Sequence, residues 1–125
     1  MKYDPEDWEN YDKGIRYFNR QKFFEAHEAW EEIWKRTTDE EDKRFLQGLI
    51  QAAASFVHVE RGNAQAAVEL HEAASVKLQH YRRGYWGADI QKFLESFRNV
   101  REKIEQRQEI KEYPQLILIK KEDVP

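Results

Sequence analysis

The sequence predicts an all-α protein, a compact bundle of about five antiparallel helices with a central third helix and a short extended carboxyl-terminal tail. Charged residues make up 36% of the 125 residues, whereas an average domain contains about 25%. The chain has only 5 glycines and 3 prolines, and apart from Gly48 we expect them between the periodic stretches. Within those stretches apolar residues recur every three or four positions, which is the spacing of one helix face.

The first helix is predicted to begin at Asp4, whose side chain can accept hydrogen bonds from the first free backbone N–H groups. Pro5 then occupies the first helical position, where its missing N–H costs nothing. The apolar stripe of this helix ends near Asn19 and consists of Trp8, Tyr11, Ile15 and Phe18.

The second helix is predicted over about residues 22–36. His27 falls within its apolar arc, and Glu31 lies one turn later at the edge of that arc. Packing of this face therefore brings an imidazole and at least one carboxylate close to the core. The residues of the arc are Phe23, Ala26, His27, Trp30, Ile33 and Trp34.

The third helix is predicted from a capping box at Thr38 and Glu41 to about Glu60. Apolar residues surround most of this helix, as expected of a central helix that is contacted on several sides. One narrow polar line runs along it, formed by Gln47, Gln51, Ser55 and His58. Gly48 inside the helix costs about 1 kcal/mol relative to alanine, which is tolerable where another helix or a ligand approaches closely.

The fourth helix is predicted from Ala64 to Tyr81, after a tight turn at residues 61–63, and His71 lies at the margin of its apolar stripe. The connector at residues 82–87 contains Tyr85 and Trp86, which either cap the core or form an exposed contact loop. We favour the cap. The fifth helix is then predicted over about residues 88–108, with a strongly amphipathic pattern.

The tail, residues 114–125, contains the β-branched and apolar run Leu116 to Ile119. Such a run would promote aggregation if it stayed exposed, so we expect it to dock along its own bundle or into a groove of a second copy. The 17 aromatic residues are more than one small core easily hides, which also favours a homo-oligomer.

Composition limits the classes of function. The net charge of −3 argues against nucleic acid as a partner. No stretch approaches 18 apolar residues and the amino terminus lacks an apolar leader, so we expect neither a membrane span nor a signal peptide. The absence of cysteine fits a reducing compartment, and we expect a single cytoplasmic domain over residues 1–125.

No standard catalytic motif is present, which leaves the polar side chains that the helical periodicity directs inward. Three interpretations remain open. Either the side chains hydrogen-bond to one another as a structural seam, or they line a small-molecule pocket, or they bind a divalent metal such as zinc or manganese. The binding set is His27, Glu31, Trp34, Gln47, Gln51 and His58, and the metal set is His27, Glu31, His58 and His71.

The segments FFEAHEAWEEIW (23–34), FLQGLIQ (45–51) and HVERGN (58–63) resemble domain-of-unknown-function family 309. The resemblance covers about residues 9–82. It implies an all-helical fold and the label of a predicted metal-dependent hydrolase, but no substrate. The positions that match the family motif are His27, Glu31, Trp34, Gln47, Gln51, Gly62 and Asn63.

From these observations we predict a non-catalytic binding or self-association module that needs no cofactor and whose small-molecule ligand is unknown. The alternative is a hydrolase in which the metal set holds a divalent ion that activates water, with Glu28 or Glu31 as the base.

Overall fold

The structure is a computed structural model that describes residues 4–119. It confirms the all-α prediction, and no strand is present in that part of the chain. Five helical segments follow one another, and the last is interrupted. No helix within residues 4–119 has the length and apolar character needed to cross a membrane. The elements are α1 (Pro5–Asn19), α2 (Phe23–Trp34), α3 (Glu40–Glu60), α4 (Ala64–Leu78), a 3₁₀ turn (Tyr85–Gly87), α5 (Ile90–Asn99) and α6 (Arg101–Glu105).

The helices pack in chain order, so that α2 lies between α1 and α3, and α3 lies between α2 and α4. Helices α5 and α6 pack on α4. Aromatic rings fill the space between the layers, with Trp30, Phe45 and Phe56 fully buried. Burial of such large side chains contributes about 1.5–3 kcal/mol each, and it is the main force that joins the layers.

Two helix starts show how well capping signals can be recognised. The Asp4 side chain accepts from the backbone N–H groups of Glu6 and Asp7, as predicted. Helix α3, however, is capped by Asp39, whose carboxylate accepts from the N–H of Asp42 at 2.9 Å. The predicted Thr38 cap is wrong by one residue, since either side chain can serve as an acceptor at this end.

Two glycines permit close helix contacts. A Cβ at Gly48 would lie 2.8 Å from Leu78 Cδ2, so the glycine lets α4 approach α3. This is one of the two reasons predicted for a glycine inside that helix. Gly14 lies inside α1, contrary to our expectation, because the Trp30 indole occupies the space where its Cβ would be. The same indole donates to the carbonyl of Tyr11 at 3.1 Å.

The predicted continuous fifth helix is wrong, because α5 ends at Asn99 and α6 begins at Arg101. The N–H of Val100 donates to the carbonyl of Phe97, three residues earlier, so the α-helical hydrogen-bond pattern tightens at this position. The side chains of Val100 and Ile104 are both buried. The apolar side of the chain therefore stays on the core across the break.

The tail docks on its own bundle over residues 114–119. The Asn19 side chain donates to the Leu116 carbonyl and accepts from the Leu116 N–H, both at 2.8 Å. Further on, Leu118 forms an antiparallel bridge with Ala88. Docking along its own bundle is the first of the two alternatives predicted for the tail. Residues 120–125 lie outside the part of the chain that the structure describes.

Candidate functional site

The predicted binding residues lie on the packed pair α2 and α3. At one end of the pair the Phe23 and Phe56 rings are 4.9 Å apart. At the other end Lys43 Nζ lies 4.6 Å from the centre of the Trp34 ring. Along these contacts and just beyond them lie the predicted binding residues of both helices, which we call the polar strip. Its members are His27, Glu31, Trp34, Gln47, Gln51 and His58.

His27 and Glu31 form the best-defined contact of the strip. His27 Nε2 lies 2.5 Å from Glu31 Oε1, one helical turn away. Their side chains are 26% and 49% exposed, so the pair is at the surface rather than in the core. The Phe24 ring stacks on the imidazole with 5.8 Å between ring centres. The prediction that His27 lies on a buried face is thus only half right, since its outer edge reaches solvent.

Four members of the strip have an inner polar atom that is shielded from solvent and has no hydrogen-bond partner within the described chain. These atoms are His27 Nδ1, Trp34 Nε1, Gln51 Oε1 and His58 Nδ1. Gln47 is half-buried like its neighbours. Each shielded, unpaired polar atom costs about 1–3 kcal/mol. The strip is therefore less satisfied internally than a purely structural seam would be.

The metal set is not brought together. His27 and Glu31 contact each other, and His58 lies elsewhere on α3. His71 lies on α4 and packs against Phe97 of α5, whereas the strip lies on α2 and α3. Among residues 4–119 no three His, Asp or Glu side chains are placed to share a metal ion. The side chains present therefore do not fit the metal centre that the hydrolase label implies.

His71 is far more buried than its position at the edge of the α4 stripe predicts. It is 1% exposed, and its ring stacks on Phe97 at 3.9 Å between centres. Nε2 lies 2.7 Å from the Phe97 carbonyl and so acts as the donor. Burial lowers the pKa of His71, which keeps it neutral and suits it to a structural role between α4 and α5.

Asp42 is a buried polar residue that sequence reasoning missed. It is 8% exposed, and its Oδ1 accepts from the Tyr85 hydroxyl at 2.6 Å and from Trp86 Nε1 at 2.9 Å. Trp86 itself is 4% exposed, so the aromatic connector caps the core, as favoured. Asp42 belongs to the acidic run 39–42, which is typical of the first turn of a helix. This pattern does not indicate that Asp42 is buried.

The aromatic residues that led us to expect self-association mostly lie inside one chain. Phe24 is the only exposed aromatic side chain among residues 4–119, with 48% of its surface accessible to solvent. Residues 114–119 of the tail dock on the same chain, although Ile117 is 44% exposed, and the homo-oligomer stays a prediction.

Comparison with known proteins gives a family match over part of the chain but no activity. Residues 11–70 match the family described as "Domain of unknown function (DUF309)". The chain is similar to the uncharacterized protein YpuF of Bacillus subtilis, with 32% identity over 73% of this chain and 53% of that protein. It is also similar to an uncharacterized protein of Aquifex aeolicus, with 28% identity over 68% of this chain and 26% of that protein.

The chain thus spans about half the length of one curated relative and about a quarter of the other. The matched segment contains every residue of the polar strip and the turn at Gly62 and Asn63. It also corresponds to most of the range over which the motifs resemble family 309. Residues 11–70 of this chain therefore match the DUF309 family of domains of unknown function.

Proposed function

We propose that this protein is a non-catalytic binding module and that the polar strip on α2 and α3 contacts its ligand. The observation that carries the proposal is the set of inner polar atoms without partners in His27, Trp34, Gln51 and His58. The structural His71 also has one such atom, Nδ1, but the strip gathers four of them on two helices, which is more than a seam kept only for stability would leave. A binding surface leaves them to be satisfied by what it binds.

The strip offers both donors and acceptors. His27 Nε2 contacts Glu31 Oε1, which leaves the inner Nδ1 as the ring nitrogen without a partner. Gln51 Oε1 is an acceptor, whereas Trp34 Nε1 can only donate. An amide group carries one donor and one acceptor side by side. Trp34 lies at the Lys43 end of the strip, about two helical turns from Gln51, so we propose a ligand with several amide groups, such as an extended peptide segment.

Two further facts support a module rather than an enzyme. The matched relatives are longer than this chain, which fits a domain that serves within larger proteins. The close His27 and Glu31 pair supplies two ligating side chains with no third in the described chain, so it does not favour the hydrolase alternative.

Nuclear magnetic resonance of the full chain, labelled with ¹⁵N, tests the proposal with N-acetyl dipeptide amides as the probe. We expect the indole Nε1–H of Trp34 and the side-chain amide of Gln51 to shift on titration. The Gln51→Met variant should lose the Trp34 shift. The matched control, Gln65→Met on the exposed side of α4, should retain it. Shifts absent from the strip, or equal in the Gln51→Met variant, would contradict the proposal.

A further inference from the structure

A second surface lies away from the polar strip, between α5, α6 and the chain at residues 110–117. It is an open groove of about 720 Å³. Its apolar floor includes Val100, Ile110 and Pro114, all buried in the chain. A groove with an apolar floor and a charged rim is the usual form of a site that receives an apolar side chain from a partner.

The rim of the groove is more basic than acidic. Lys92 of α5, Lys103 of α6 and Lys111 of the following segment line it, against two carboxylates, Glu95 and Glu112. Within residues 4–119, the ion pairs of the chain do not include any of the three lysines. Three ammonium groups from three elements thus surround one apolar depression and favour an acidic partner.

The complementary surface is the start of α2. Phe24 is an exposed aromatic side chain, at 48%. The exposed carboxylates of Glu25 and Glu28 lie beside it along the helix. An apolar anchor flanked by acidic groups is the chemistry that the groove would recognise.

The start of α2 adjoins the groove of the same chain. The Phe23 ring lies 5.2 Å from the ring of Tyr113, which lines the groove. Glu60 lies at the same boundary: burial raises its pKa, and the Glu25 carboxylate adds to this increase. The boundary therefore brings together carboxylates that a cation from a partner would stabilise.

We infer that the groove receives Phe24 of a second copy of this chain, with Glu25 and Glu28 of that copy facing the lysines of the rim. Because the start of α2 adjoins the groove, a two-fold axis between two copies can bring Phe24 of each copy to the groove of the other. Such an interface is closed and yields a dimer instead of a filament. The inference does not depend on the function proposed for the polar strip.

Sedimentation of the full chain at concentrations up to the order of 100 µM tests the inference. We expect a species of twice the 15.1 kDa chain mass. Phe24→Ser should convert it to a monomer, and Val76→Ser, which alters an equally exposed side chain of α4 at 47%, should leave it unchanged. A monomeric wild type, an open-ended polymer, or a dimer that Phe24→Ser leaves intact would overturn the inference.

Charge and proximity supply a second test. Lys103→Glu should weaken the dimer, and the double variant Lys103→Glu with Glu28→Lys should recover it. The chain has no cysteine, so a mixture of Glu28→Cys and Lys111→Cys proteins can cross-link only at the introduced sites. We expect a disulfide-linked pair from that mixture and none from Glu28→Cys with Val76→Cys. Equal cross-linking in both mixtures would overturn the inference.

Discussion

Replacing Asp42 by alanine should be among the most damaging single changes at the surface of contact between α3 and the aromatic connector. The substitution removes the acceptor of the Tyr85 hydroxyl bond at 2.6 Å and of the Trp86 indole bond at 2.9 Å. Hydrogen bonds to a charged group are worth about 1.5–3 kcal/mol each. The variant no longer has to desolvate a buried carboxylate on folding, which offsets part of that loss. We therefore expect a net loss of about 3 kcal/mol.

Trp86 makes the loss more severe, because its backbone adopts φ 50°, in the left-handed region. A bulky residue holds that conformation only while surrounding contacts maintain it. The bond to Asp42 is one of those contacts, so the variant should loosen the connector as well as lower the free energy of unfolding.

Urea unfolding of Asp42→Ala, followed by tryptophan fluorescence, measures the effect, and Asp39→Ala is the matched control. Asp39 is an exposed carboxylate at the same helix start, and its cap contributes about 1 kcal/mol. We expect Asp42→Ala also to lower the melting temperature by roughly 10 °C. If the two variants lose the same stability, the reasoning about the buried carboxylate is refuted.

Three further predictions follow from the packing and the buried histidine. Gly48→Ala would place a Cβ 2.8 Å from the fully buried Leu78. The cost of overpacking should exceed the gain in helix propensity, and calorimetry should show a loss of about 1–2 kcal/mol in the free energy of unfolding. No loss would mean that α3 and α4 can separate freely. Asn19→Ala removes both hydrogen bonds to Leu116. It should lower the free energy of unfolding by about 1–2 kcal/mol and speed hydrogen exchange of the Leu116 amide. Unchanged exchange at Leu116 would contradict the docking of the tail. Burial lowers the pKa of His71 in the folded chain, so His71 of the unfolded chain binds a proton more readily. The free energy of unfolding should therefore be highest above pH about 6.5 and should fall as the pH drops below that value. Unfolding between pH 7 and 5 should therefore depend more steeply on pH in the wild type than in His71→Gln, and identical slopes would refute this.

Helical periodicity and capping residues were enough to predict most of the fold. The apolar stripe of α1 and its Asp4 cap follow from local rules, and both are present. The break at Val100 could not be predicted in this way, because it depends on tertiary packing. Val100 and Ile104 are both buried in the same core. Gly14 was missed for a similar reason, since its role is set by Trp30 of another helix.

The candidate site was predicted in part. Periodicity and the family motif placed His27 and Gln51 on facing helices, but they could not say which polar atoms would lack partners. His71 was grouped with them although it lies on α4 and packs against Phe97 of α5, because a helical wheel does not show which neighbour a helix face meets. Asp42 gave no sign of burial, since its partners stand more than 40 residues later.

The stability of Gln51→Met, relative to wild type and to Gln65→Met, tests the central claim most directly. Methionine keeps the length of glutamine but has no amide, so it removes the inner oxygen that lacks a partner within the chain. If the strip exists for binding, Gln51→Met should be as stable as wild type or more stable by up to about 1 kcal/mol, and exposed Gln65→Met should change little. A loss of about 1–2 kcal/mol at Gln51 alone would show that the amide belongs to a satisfied structural network, and would contradict the claim.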